Sequence, residues 1–176
     1  MEEVAVIQRV TFVKMLGVIF DNKWNFSQHV EKVINGAASF MYALKLLRSK
    51  GLMVPALWDV AFQTLVARML YASQVWWGFV NNASQQRLNA IIKRLIKQSF
   101  LPKNHQSFNE LCEKSDLNLF KAVLDNEHHI LHHLLSPIKI AHHDLRPRAH
   151  NRVLPKAFNV RQKSMFFNRM LFSKMY

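Results

Sequence analysis

The densest group of side chains capable of metal chemistry is Glu127-His128-His129-Ile130-Leu131-His132-His133. His128 and His132 are four residues apart, as are His129 and His133, so a helix through this stretch would put each pair on one face. Two imidazoles so placed can hold zinc, with His142, His143 or Glu127 completing the set. No Glu lies inside the His-x-x-x-His spacing, where a zinc hydrolase carries its general base, and no cysteine is near. A structural histidine patch is therefore preferred over a metal centre. Cys112 is the single cysteine; it follows Leu111, precedes Glu113 and has no activating neighbour, which argues against a nucleophile. Ser, His and Asp all occur, but no spacing links them into a triad.

The other chemistry available is cationic. Lys93, Arg94 and Lys97 fall on consecutive turns of a helical pattern and can track phosphates, each neutralised phosphate adding about −0.9 to the log–log salt slope on a duplex. The competing reading is an ordinary solvated face opposite an apolar stripe. Arg146, Arg148, Arg152, Lys156, Arg161 and Lys163 form a second basic segment, suited to RNA or to a nuclear-import patch. The chain carries a net charge of +13, and residues 89–176 hold fifteen Lys/Arg against six Asp/Glu. After Leu145 there are eight basic residues and no acidic one. Such one-sided charge attracts polyanions, nucleic acid foremost. Trp76 and Trp77, with Tyr71 and Phe79, offer a stacking platform, but a helix this apolar places them in the core. Trp77 is nearer its boundary, since adjacent helical positions point about 100° apart.

These residues need elements to position them. Val4 to Gln8 and Thr11 to Phe20 are rich in Val, Ile and Phe, and read as two adjacent strands or one bent strand around Arg9. Two strands do not make a stable sheet alone. Asn25 or Ser27 caps a helix whose Val30, Val33, Ile34, Ala37, Met41 and Leu44 share a face as far as Lys50, with Gly51 as its terminator. Pro55 opens a second helix, apolar nearly all round, running towards Gly78. Ser84 caps a third, with Leu88, Ile91, Ile92 and Leu95 as its stripe. Ser107 and Glu110 form a capping box for a short helix through Cys112. Leu117 to Leu135 reads as a fifth helix ended by Ser136-Pro137, and Gln162 to Lys174 as a last short one.

With 176 residues and half of them hydrophobic, the chain suits one domain with a buried core. Scarce Gly and Pro favour long helices. The expected fold class is mainly α, a helical bundle with a short N-terminal β element. One cysteine excludes an internal disulfide and fits a reducing compartment. Met1-Glu2-Glu3 is acidic where a signal peptide is basic. The most apolar stretch, Pro55 to Val80, contains Asp59, Gln63, Arg68 and Gln74, too many polar groups for a membrane span. The expectation is an intracellular protein, nuclear or cytoplasmic, with no membrane partner.

Two ordered motifs add a resemblance. Lys14-Met15-Leu16-Gly17-Val18-Ile19-Phe20-Asp21, followed by Trp24, Phe26, Ser27, His29 and Val30, resembles the segment after the catalytic aspartates in non-LTR (LINE-type) retrotransposon reverse transcriptases. Leu70-Tyr71-Ala72-Ser73-Gln74-Val75-Trp76 is similar to the Tyr-Ala-Ser-x-x-Trp element further along in that family. Ala43 to Arg48, the basic helix Leu88 to Lys97, and Arg161 to Phe167 follow the family order with less specific wording. Met15 stands where the family usually has an aromatic residue. The paired aspartates that hold two metal ions in such polymerases have no counterpart, because the chain contains no Asp-Asp sequence.

The resemblance implies a post-catalytic piece of an RNA-directed DNA polymerase, inactive alone. Residues 1–26 would be a β element of the palm-edge primer-grip region, 27–136 a thumb-like bundle, and 137–176 a basic C-terminal segment. The parent enzyme uses magnesium, whose ligands are missing here, so no cofactor is expected. Lys14, Gly17, Lys93, Arg94, Lys97, Arg146, Arg148, Arg152 and Arg161 are the expected nucleic-acid contacts. The partners implied are RNA, DNA or an RNA–DNA hybrid, and the palm of a parent enzyme. The alternative is a helical protein-interaction module without a nucleic-acid role, which an exposed apolar patch between Val4 and Val18 would favour.

Overall fold

A computed structural model describes residues 9–139, 151–156 and 159–173. The β-rich run opens as a hairpin: β1 (Phe12–Met15) pairs antiparallel with β2 (Val18–Asp21), Met15 opposite Val18 and Phe12 opposite Asp21. The turn is the two residues Leu16 (φ 47°) and Gly17 (φ +89°). Two successive positive φ values make a type I′ turn, whose twist matches that of the strands it joins. Gly17 meets that demand without strain, and Leu16 meets it as an L-residue. Val4 to Gln8 lies outside the described residues.

Polar side chains then fold the chain over. The Asp21 carboxylate accepts the amides of Lys23 (2.8 Å) and Asn25 (3.2 Å), and Asn25 Oδ1 accepts both the Ser27 amide and hydroxyl. This turn leads into α1 (Ser27–Ser49), whose buried face is His29, Val30, Ala37, Met41 and Leu44. Gly51, at φ +91°, terminates it as expected.

The second helix departs from its expected course. Pro55 sits in the first turn of α2 (Val54–Val60), as read from sequence. A six-residue π-helical turn, Ala61–Val66, follows, then α3 (Ala67–Leu70). The widened turn rotates the apolar face, which lets a helix apolar nearly all round bury Leu57, Ala61, Leu65, Val66 and Met69 together. The rod does not reach Gly78. It breaks at Tyr71 (ψ 123°) and Ala72 (φ 51°), and the Trp76 indole N–H donates to the Tyr71 carbonyl at 3.1 Å. The chain resumes as α4 (Ser73–Trp76) and a 3-10 turn, Trp77–Phe79. Trp76 and Trp77 are both buried.

In α5 (Asn82–Lys97) the stripe Leu88, Ile91, Ile92 and Leu95 is buried as expected. Its cap is Asn81, not Ser84: Asn81 Oδ1 accepts the Ser84 amide at 2.8 Å, putting Ser84 inside the first turn. The capping box of Ser107 and Glu110 forms, but it starts an eighteen-residue helix, α6 (Phe108–Asp125), rather than a short one. Asn89 Oδ1 takes the Phe108 and Asn109 amides as well, so this helix begins with its amides satisfied.

The expected helix Leu117 to Leu135 is therefore the second half of α6 and stops ten residues early. Asn126 leaves helical geometry (φ −120°, ψ 103°), and its side chain accepts the His128 amide at 3.0 Å. Beyond it lie turns and a 3-10 segment, His132–Leu134. The C-terminal segment folds back: Ile138 bridges Arg152, and α7 (Val160–Ser164) and α8 (Phe166–Ser173) follow. Met170 and Leu171 of α8 pack with Phe120, Val123 and Leu135 in a second apolar cluster beside the main core. The fold is mainly α with a two-stranded N-terminal sheet. Among the described residues, no helix is long and apolar enough to cross a membrane.

Candidate nucleic-acid interface

Tyr71 is the residue on which the hairpin and the bundle meet. Because the chain breaks after Leu70, its phenol leaves the helix axis, and Oη donates to the Leu16 carbonyl at 2.9 Å across fifty-five residues of sequence. The ring also lies in ordinary contact range of Gly17. The hairpin turn is thereby held over α1 and α3, leaving a groove of about 290 Å³.

The polar lining of that groove is cationic and aromatic: Lys14 from β1, His29 and Lys32 from α1, and Arg68 and Tyr71 at the end of the rod, with no carboxylate among its described walls. Lys14, Lys32 and Arg68 form no ion pair among the described residues. The Arg68 guanidinium lies 5.4 Å from the centroid of Phe40, which fixes the stem while leaving the charge available.

His29 forms the floor. It is 4% exposed, its ring meets Trp76 edge-to-face at 5.2 Å, and its Nδ1 accepts the Ile19 amide at 3.4 Å. Burial, and then the charge of Lys32, hold its pKa below the ordinary value. The imidazole is thus kept neutral as an acceptor for the strand.

Lys14 and Gly17, expected from sequence, both line this groove. His29, Lys32 and Arg68 were missed as contacts, and Tyr71, read from sequence as a core aromatic, is exposed and lines the groove instead. The spacing of His29, Lys32, Val33, Ala37 and Phe40 puts them on one helical face, but the sequence holds no sign that this face looks onto a strand turn that ends twelve residues before His29. Arg68 and Tyr71 were hidden by the break in the second helix.

Lys93, Arg94 and Lys97 are exposed on α5 and lie elsewhere. Lys93 borders a separate depression of about 490 Å³ with Gln86, Asn89, His105 and Asn109, and none of the three cations lines the first groove. Arg87, on the same helix, is committed to Glu31 of α1 through a bidentate pair, so it is not part of any free cationic face. Arg152 donates to the Ser136 carbonyl at 2.8 Å within the bridge to Ile138, a packing role that its charge alone did not suggest. Arg161 is exposed in the first turn of α7. Arg146 and Arg148 lie outside the described residues.

The histidine pairs are not on an α-helix: His128 and His129 lie in the turn and bend after α6, His132 and His133 in the 3-10 segment. His129 Nδ1 accepts the Leu131 amide at 3.1 Å and His132 Nδ1 faces the Val123 carbonyl at 2.8 Å, so both serve the turn that ends α6. Among the described residues no group of three or more His, Cys, Asp or Glu is arranged to hold a metal. Burial pushes the Cys112 thiol well above its ordinary pKa, which keeps it un-ionised in the core. Compared with protein-family models, with curated proteins and with solved structures, the chain gives no match.

Proposed function

We propose that this chain is a non-catalytic, thumb-like module of the non-LTR reverse-transcriptase kind, which holds RNA, DNA or their hybrid by the backbone without reading bases. One observation carries the reading. Leu16-Gly17-Val18 and Tyr71-Ala72-Ser73, the two segments that resemble that family, are joined by the Tyr71–Leu16 hydrogen bond, and Gly17 and Tyr71 help line a groove whose charged groups are all cationic. Lysine and arginine without a carboxylate attract phosphates wherever they fall in a sequence. A hybrid near A-form offers its backbone rather than its base edges to such a surface.

The test is fluorescence anisotropy with an RNA–DNA hybrid and with duplexes of scrambled sequence, over a series of salt concentrations. Tight binding, a steep salt slope and little sequence preference are expected. Absence of binding at low salt, despite a charge of +13, overturns the proposal. With template, primer and magnesium, the purified chain is expected to incorporate no nucleotide, and clear incorporation rules out a non-catalytic module.

A protein-interaction module is the second reading, and the hairpin favours it. Val10, Phe12, Val13, Met15 and Leu16 are all exposed, Leu16 at 85%. Contiguous apolar residues on an unpaired strand edge mark a contact surface. On this reading, removing that apolar surface abolishes a protein contact and leaves nucleic-acid binding unchanged.

A further inference from the structure

The groove beneath the hairpin turn has two parts with different chemistry. At its rim stand Lys14, Lys32 and Arg68, all exposed and none in an ion pair among the described residues. Deeper in, Val33, Ala37, Phe40, Leu65 and Met69 make an apolar floor. Ala37, Leu65 and Met69 are buried, and Val33 and Phe40 are half-buried against the main core. A phosphodiester backbone held by cations needs the rim alone. On that reading the floor has no role.

The floor restricts what can enter. His29 Nε2 is buried, so it presents no donor to the groove, and the Tyr71 hydroxyl is spent on the Leu16 carbonyl. The polar edge of a nucleobase would lose its water here and gain no partner, at a cost in free energy. A hydrocarbon has no such edge. The volume of about 290 Å³ lies at the small end of the range for small-molecule sites, about 300–1,000 Å³. The rim selects an anion, because no carboxylate opposes its cations. Arg68 brings a planar fork whose stem is fixed against Phe40, and Lys14 and Lys32 bring point charges. Together they match the three terminal oxygens of a phosphate monoester better than the two of a carboxylate.

We propose that the groove binds a single-chain alkyl phosphate as a dissolved monomer. Its head rests on Lys14, Lys32 and Arg68, and its hydrocarbon chain runs along the apolar floor. Burial of the chain removes apolar surface from water, so each methylene that the floor covers strengthens binding about fourfold. The head occupies the same three cations that a nucleic-acid backbone uses on the proposed function, so the two ligands compete for the rim. The inference does not rest on that function, because the dependence on chain length comes from the floor.

The test is calorimetric titration of the full chain with butyl, hexyl and octyl phosphate, each below its micelle-forming concentration. Inorganic phosphate and n-octanol, each lacking one half of the ligand, are the controls. Saturable one-to-one binding of octyl phosphate is expected, with affinity rising about fourfold per methylene until the floor is filled. Both controls are expected to bind at least about tenfold more weakly. Changing the exposed Lys14 and Lys32 together to Ala should weaken octyl phosphate about tenfold and leave the gain per methylene intact. No saturable binding of octyl phosphate up to about 10 mM, equal affinity for butyl and octyl phosphate, or indifference to the loss of both lysines overturns the proposal. Hybrid binding without octyl phosphate binding removes this inference and leaves the nucleic-acid reading standing; the converse removes that reading alone.

Discussion

The Tyr71 hydroxyl reaches the carbonyl of Leu16 at 2.9 Å. It ties the tip of the hairpin to the point where the rod α2–α3 breaks. The carbonyl belongs to a residue held at φ 47°, so the bond supports a turn conformation that an L-residue adopts reluctantly. Tyr71→Phe keeps the ring against Gly17 and removes only the donor. It is expected to cost about 0.5–1.5 kcal/mol and to raise amide exchange in β1 and β2 more than in α5. Unchanged protection of the hairpin would show that the turn is held by its own geometry.

The cationic groove and the α5 face make separable contributions to nucleic-acid binding on the proposed reading. Changing Lys14, Lys32 and Arg68 together to Ala should reduce the salt slope by about 2–3. The same treatment of Lys93, Arg94 and Lys97 removes equal charge from a surface outside the groove. If only the first set flattens the slope, the groove is the interface. If only the second does, the α5 face is.

His29 gives the fold a pH dependence of defined sign. Its folded pKa lies below the ordinary value of 6.5, so the unfolded chain takes up the proton first. Stability contributed by neutral His29 is complete above that value, falls as the pH drops through it, and levels off below the folded pKa. Protonation also removes the acceptor of the Ile19 amide. Thermal melts across pH 5 to 8 should show the decline, and His29→Leu should shrink it; an identical profile in the variant would assign the effect to other groups.

Asp116 and Arg169 clamp α8 to α6. Arg169→Met leaves a buried carboxylate without its cation and should cost about 3–5 kcal/mol. Replacing both, Asp116→Leu with Arg169→Met, should cost far less, because desolvation and attraction are lost together. A double-mutant cycle in urea reads the coupling, and additive losses would mean that the pair does not act as a unit.

Gly78 is required where it is because the Arg169 guanidinium and the Ser164 carbonyl occupy the space its Cβ would take. Gly78→Ala is expected to cost about 1–3 kcal/mol through overpacking, read as a lower denaturant midpoint with an unchanged slope. A neutral effect would show that α7 and α8 yield easily.

The local signals in this chain were legible where short-range chemistry decides the outcome. The α5 stripe, the Ser107–Glu110 box, Pro55 in a first turn and Gly51 at a helix end all depend on neighbours within about four residues. Where a side chain competes with the helix, the pattern misled: Asn126 draws the His128 amide to itself, and periodicity through Leu135 carries no mark of it. The zinc-like spacing of the histidines failed with that helix.

The mainly α class, most of the core stripe of α1, that of α5 and the cationic excess were determined by the sequence alone, because composition and periodicity state them directly. Which cations gather was decided only by the tertiary structure. Lys14, Lys32 and Arg68 are far apart in sequence, and they share a groove because the chain breaks at Tyr71 and Ala72 and the Tyr71 phenol captures the hairpin. The pairing of Asp116 with Arg169 across fifty-three residues has the same origin: long-range burial selects partners that no spacing along the chain encodes.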